Sequence, residues 1–272
     1  MSHNSVNMYD IDPHVAEIYD QVDTQTGDIE LLRTLLDGLS VRRILEPFCG
    51  TGRILLPLAI DGYELVGLDQ AESMLSRARS KLGRLPDAVR SRVTLTRHDA
   101  TLGDWPSGFD AVILGGNCFY ELATADEQEA CVQFAARALT SGGWLFVDND
   151  HMEGDLELSW QETGISRGFP SGVCEDGVRV EGTGEAIWWD AGRRLIRFRR
   201  RTRVVMPDGQ LVDREFVQQK HPVSACEVRA WIERSGFAVR GFYGSYERAP
   251  YTTESDRAIF WAQKTPPSMS TG

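Results

Sequence analysis

Apolar residues recur at helical spacing near the start of the chain, first at Val15, Ile18 and Tyr19 and then at Ile29, Leu32, Leu35 and Leu36. From Val41 onward the pattern changes. Short apolar runs at 41–45, 63–68, 93–97, 111–114 and 144–147 read as strands. Amphipathic stretches at 54–60, 71–82 and 126–139 read as helices, and Gly142-Gly143 reads as a turn into the last of those strands. Short strands alternating with helices predict a parallel sheet with right-handed crossovers.

The alternation stops after Asp150. Between Gly177 and Lys220 the pattern predicts three long strands, joined at Asp190-Ala191-Gly192 and Pro207-Asp208-Gly209, both with hairpin chemistry. Ser224 with Glu227 forms a capping box for a helix ending near Gly236. Two last strands follow at 237–243 and 258–262. The expected organisation is a helical lid over 1–40, a core over 41–152 and 221–264, an antiparallel β cap over 153–220, and a loose tail over 265–272.

Composition narrows the picture. Hydrophobic and charged fractions are those of a globular protein. No apolar run approaches the ~20 residues that span a bilayer. The segment from Met1 to Asp12 is polar, without the apolar stretch of a signal peptide, so a cytoplasmic location and no membrane partner are expected. The formal net charge of −11 opposes a nucleic-acid partner. Cys49, Cys118, Cys131, Cys174 and Cys226 are odd in number and contain no Cys-x-x-Cys pair. That spacing suits neither a disulfide framework nor a zinc site, so no metal is expected.

Chemistry concentrates at the ends of the early strands. Ile44-Leu45-Glu46-Pro47-Phe48-Cys49-Gly50-Thr51-Gly52-Arg53 is a strand ending in an acid, a glycine turn and the start of a helix. Glycines let a ligand approach the backbone closely. A helix N-terminus offers free N–H groups to a carboxylate, and Glu46 offers a negative charge to an ammonium or sulfonium. Asp69 ends the next strand, 23 positions later, where an acid accepts hydrogen bonds from ribose hydroxyls. Asp99, after the third strand, can accept a hydrogen bond from the amino group of adenine. These strand ends describe a ligand with an amino acid at one end and a nucleoside at the other. A nicotinamide fingerprint would need glycines where Phe48 and Leu55 stand.

On these residues the sequence resembles the class I methyltransferases, well over Val41 to Asp150 and moderately over the last helix and strands. Glu46, Gly50 and Gly52 match their glycine motif. Phe48 replaces its first glycine, as in the similar Pro-Phe-x-Gly-x-Gly form of DNA amino-methyltransferases. The resemblance implies a Rossmann-like, doubly wound, mostly parallel α/β sheet with the β cap inserted before the last helix and strands. It also implies S-adenosyl-L-methionine as cofactor. The cofactor set would be Tyr19, Glu46, Phe48, Gly50, Thr51, Gly52, Arg53, Asp69, Gln70, Met74, Asp99, Ala100, Gly115 and Asn117, with Met74 packed on adenine.

The acceptor would lie after the fourth and fifth strands, where Tyr120, Asn149 and His151 are the candidate catalytic residues. The run Val147-Asp148-Asn149-Asp150-His151 resembles glycine N-methyltransferases. Tyr243-Gly244-Ser245-Tyr246, with Pro250-Tyr251-Thr252, resembles amino-sugar N-methyltransferases. Both favour a small-molecule amine, which Glu121 and Asp150 would hold as a cation. An O-methyltransferase using His151 or His98 as base is the first alternative, and a non-catalytic cofactor-binding protein the second. A nucleic-acid enzyme lacks support, because Gly116-Asn117-Cys118-Phe119-Tyr120 departs from the Asp/Asn-Pro-Pro-Tyr motif and no basic stripe is present. The arginines from Arg193 to Arg203 read as a solvated strand face balanced by acids, and Trp160, Trp188 and Trp189 as cap packing. An exposed cap sheet could support a homodimer.

Overall fold

A computed structural model describes residues 8–10, 12–150 and 164–266. Helix α1 (Pro13–Val22) begins where Asp12 accepts a hydrogen bond from the His14 backbone and proline fills the first turn. Helix α2 (Gly27–Leu36) follows. The core then runs β1 (Arg43–Glu46), α3 (Leu55–Asp61), β2 (Glu64–Asp69), α4 (Glu72–Gly83), α5 (Asp87–Arg90), β3 (Val93–Arg97), β4 (Phe109–Leu114), α6 (Ala125–Ala138) and β5 (Leu139–Asp150). The cap strands are β6 (Ile165–Val173), β7 (Arg179–Asp190), β8 (Leu195–Val205) and β9 (Leu211–Lys220). Helix α7 (Ala225–Arg234) and strands β10 (Phe237–Tyr243) and β11 (Arg257–Lys264) close the core.

Seven strands form the main sheet in the order β10-β11-β5-β4-β1-β2-β3. Strands β1 to β5 are parallel, while β11 runs antiparallel to β5 and β10 to β11. Strand order reverses between β1 and β4, and a crevice opens at such a point beyond the carboxyl ends. Apolar side chains on opposite sheet faces form two cores. Leu145 and Val147 pack with α6 and α7, while Phe146 packs with α2 and α3. Strand alternation produces this division. Among the described residues, no helix is long and apolar enough to cross a membrane.

Strand β5 and the cap differ from the sequence expectation, and the short helix α5 is not among the expected elements. Strand β5 begins at Leu139, before the glycine pair, but its pairing with β4 jumps from Phe109↔Leu139 to Ala111↔Trp144. Residues 140–143 are looped out of the ladder, and Gly142 takes φ +77°. The glycines therefore mark an irregularity inside the strand. The cap holds a fourth strand, β6, in a sheet of order β6-β7-β8-β9. Its sequence, ISRGFPSGV, carries two glycines and a proline, which a sheet tolerates at an edge. The other three cap strands and both hairpin turns lie where the pattern predicts.

Helix α1 joins core and cap. Ile18 is fully buried in the cap cluster with Cys174, Val178, Val180 and Val204. On its other side Asp20 accepts hydrogen bonds from Thr51 in the glycine turn and from Arg77 and Lys81 of α4.

Candidate active site

A cavity of about 420 Å³ opens at the carboxyl ends of β1, β2, β3 and β4, within the range of small-molecule sites. Its floor is the turn after β1. Gly50 adopts φ +52° and Gly52 φ +76°, a region costly for other residues. A side chain at Gly52 would also meet Leu56 at 3.1 Å. Asp69 fixes this turn from the next strand, accepting the Gly50 N–H at 2.9 Å and the Ala71 N–H at 2.8 Å. Burial pushes the Asp69 carboxyl up to about 6, against the lowering effect of these hydrogen bonds.

Glu46 is the most constrained acid of the site. Burial holds its carboxyl well above the usual range, opposed by Arg53 and assisted by Asp28 and Asp69. Its Oε2 is buried and has no hydrogen-bond partner among the described residues. A cavity-lining carboxylate in this state suits a cationic group of a ligand. Beside it, Arg53 is gripped by both oxygens of the fully buried Asp28, at 3.0 and 2.7 Å, and by the Gln25 carbonyl at 2.8 Å. An amino-acid ammonium or sulfonium near Glu46 and a ribose near Asp69 therefore fit the residues present.

Tyr19, Phe48, Gln70, Met74, Ala100, Gly115, Asn117 and Tyr120 line the same cavity, as the sequence leads one to expect. Thr51, Gly52 and Asp99 do not. The Thr51 hydroxyl donates to Asp20 at 2.6 Å and accepts from Lys81 at 3.0 Å, so it ties α1 to the glycine turn. Gly52 shapes that turn from beneath. Asp99 accepts from the Thr101 N–H at 3.0 Å and hydroxyl at 2.7 Å and so caps a short helical turn. Its neighbours His98 and Ala100 reach the cavity instead. Asn149 is buried on β5 but does not line the cavity, because alternation sends it to the face of Leu145 and Val147. His151 and Trp160 lie outside the described residues.

Near Asn117 the polar groups interlock. Asn117, at φ +59°, accepts the Asp150 N–H at 2.8 Å and donates to the Asp150 carboxylate at 2.9 Å. Arg257 of β11 binds Asp148 at 2.6 Å, Asp150 at 2.7 Å and the Asn117 carbonyl at 3.0 Å. Glu121 receives Lys220 at 3.0 Å and Gln218 at 2.9 Å, both from the cap. Glu121 and Asp150, which the sequence offers as partners for a cationic substrate, each already pair with a cation of the chain.

The cavity also includes residues that the sequence did not disclose. Tyr9 packs against Tyr19 and Phe169, with centroids 6.0 and 5.6 Å away, and joins the N-terminal segment to the cap at the cavity. Gln218 enters from β9. Nothing in local sequence marks either, because each reaches the site through long-range packing. The arginines of β8 form the balanced face expected. Arg199 pairs with Glu185, Arg201 with Glu215, and Arg203 with Asp213. Trp188 lies under the Arg197 guanidinium on the cap.

A methyltransferase-domain family profile matches residues 45–145, the segment that builds β1 to β5 and the floor of the cavity. With the glycine turn and the acids at the strand ends, this gives the chain the methyltransferase domain of an S-adenosylmethionine-dependent enzyme. It is similar to a cypemycin N-terminal methyltransferase from Streptomyces sp, 28% identical over 222 residues that cover 81% of each chain. In fold it is similar to the sugar N-methyltransferase KedS8 from Streptoalloteichus sp ATCC 53650, with TM-score 0.69, 18% identity, and coverage of 98% of this chain and 99% of that one. It is likewise similar to the CcbJ methyltransferase from Streptomyces caelestis, with TM-score 0.68, 20% identity, and coverage of 93% and 96%.

Proposed function

We propose that the chain transfers the methyl group to an amine nitrogen of a small molecule. One observation carries this reading. Among the described residues, the imidazole lining the cavity is His98, which follows β3, three strands away from β4 in the sheet, with its Nε2 bonded to the Gly103 carbonyl at 2.7 Å. The acceptor end is instead lined by Asn117, Tyr120, Glu121 and Gln218, all suited to orienting a substrate through hydrogen bonds. An amine that arrives unprotonated needs orientation more than a base. One of the similar proteins is a sugar N-methyltransferase by name and another an N-terminal methyltransferase, which supports the same choice.

The cofactor supplies an electrophilic methyl on a sulfonium. Glu46, Gly50, Arg53, Asp69, Gln70 and Met74 would hold it, and Tyr9 and Tyr19 would exclude water above it. With the cofactor bound, the acceptor nitrogen would give its lone pair to the methyl carbon, and sulfur would keep the electrons of its former bond to that carbon. The product ammonium then loses a proton to solvent. The test is product analysis with methyl-labelled cofactor and a panel comprising an amino sugar, a short peptide with a free N-terminus and an alkanolamine. Label on nitrogen is expected, with a rate that rises with pH until the free amine dominates and that does not respond to chelator. Label on oxygen, or loss of activity with chelator, overturns the reading.

A further inference from the structure

Lys220, the last residue of β9, is only 3% exposed. An ammonium is costly to bury, and an aliphatic side chain would fill the same space without that cost. Its surroundings show what it holds. Nζ lies 3.0 Å from Glu121 Oε1 and 3.9 Å from the centroid of the Tyr120 ring. Two residues earlier on the same strand face, Gln218 donates to Glu121 Oε2 at 2.9 Å. Both carboxylate oxygens are thus fixed from the cap, and each retains a lone pair. Glu121 and Tyr120 line the cavity, whereas Lys220 stands behind them.

The charges around this pair can be named. Glu121 and Tyr120 come from the turn after β4. Arg200 of β8 reaches Gln218 at 3.3 Å and opposes the Lys220 charge, and Tyr9 is the phenol influenced by Glu121 from the N-terminal segment. Burial lowers the Lys220 pKa and Arg200 adds to that, with Glu121 opposing. The Glu121 carboxylate therefore faces the cavity with its charge compensated from behind. A compensated carboxylate accepts an N–H hydrogen bond without favouring the protonated amine over the free base.

We propose that Lys220 is a positioning residue that neutralises and orients Glu121, so that the acceptor amine binds as its free base with an N–H directed at Glu121. The inference rests on the amine reading above and assigns a cap residue a share in acceptor selection. It makes opposite predictions for the two partners. Lys220→Met leaves Glu121 uncompensated, stabilises the bound ammonium, and shifts the midpoint of the kcat–pH rise upward by about one pH unit. Glu121→Gln leaves Lys220 uncompensated and shifts the midpoint downward. Lys220→Arg keeps the charge and stays near the wild-type midpoint.

The experiment measures kcat against pH for the wild type and three variants, using the fastest amine of the panel, with cofactor affinity and Tm recorded beside it. Opposed shifts with unchanged cofactor affinity support the proposal. Midpoints that do not move, or that move together while Tm falls, reduce Lys220 to a structural ion pair and overturn it. If Lys220→Met does not fold, Glu121→Gln against Lys220→Arg still carries the sign of the effect. If the panel is methylated at oxygen or not at all, the amine reading fails. If nitrogen is methylated and the shifts are absent, this inference alone fails.

Discussion

Asp69 has two roles in one carboxylate. It organises the glycine turn through the Gly50 and Ala71 N–H groups, and its remaining lone pairs face the cavity. Removing it by Asp69→Ala should weaken cofactor binding by ~1.5–3 kcal/mol, the scale of hydrogen bonds to a charged group, as read by calorimetry. Burial raises this carboxyl to about 6, so between its unfolded value and that pH the folded protein binds more protons than the unfolded chain. Its contribution to folding stability therefore falls as pH rises through that window and stays reduced above it. Ligand hydroxyls that donate to the ionised carboxylate compensate this loss. The rise in Tm produced by the cofactor should accordingly be larger at about pH 7 than at about pH 5. An equal rise at both pH values would remove Asp69 from the contact.

Helix α7 shows how an element can be specified locally. Ser224 accepts the Glu227 N–H at 3.2 Å, and the Glu227 side chain accepts the Ser224 N–H at 2.8 Å, closing the capping box that the sequence announces. Ser224→Ala should cost about 1 kcal/mol in urea unfolding, with an unchanged slope. An unchanged midpoint would mean that packing of Val228, Trp231 and Ile232 holds the helix without its cap. Strand β6 is the opposite case. Its glycines and proline give no strand signal, and pairing with β7 alone makes it a strand.

Across the whole molecule, α1 couples the glycine turn to the cap. Ile18 lies in the cap cluster, Tyr19 lines the cavity and Asp20 binds the glycine turn, three consecutive residues serving three neighbours. Helical geometry spreads successive side chains around the axis, so one short helix can reach all three. Ile18→Ala should lower stability by ~2–5 kcal/mol. Hydrogen exchange should then accelerate over 12–22 and 172–180 together, while β1 to β5 keep their protection. Acceleration confined to α1 would show that cap and helix open independently.

The sequence alone determined what depends on neighbours along the chain. The strand–helix alternation, the hairpin turns, the capping box and the glycine turn with Glu46 and Asp69 are written in residues a few positions apart, where local periodicity and backbone chemistry act directly. That was sufficient for the sheet, the cap insertion and the cofactor class. Tertiary structure decided which candidate side chains reach the cavity. Asn149 turned away because of its parity on β5, Asp99 was taken by a local cap, and Tyr9 and Gln218 arrived from the far ends of the fold. It also decided how charge is balanced at the end of the cavity beside β4. The sequence offers Glu121 and Asp150 as partners for a cationic substrate, and folding sets Lys220 and Arg257, about a hundred residues away, against them. Such pairings form between groups made close only by folding, and no local pattern encodes them.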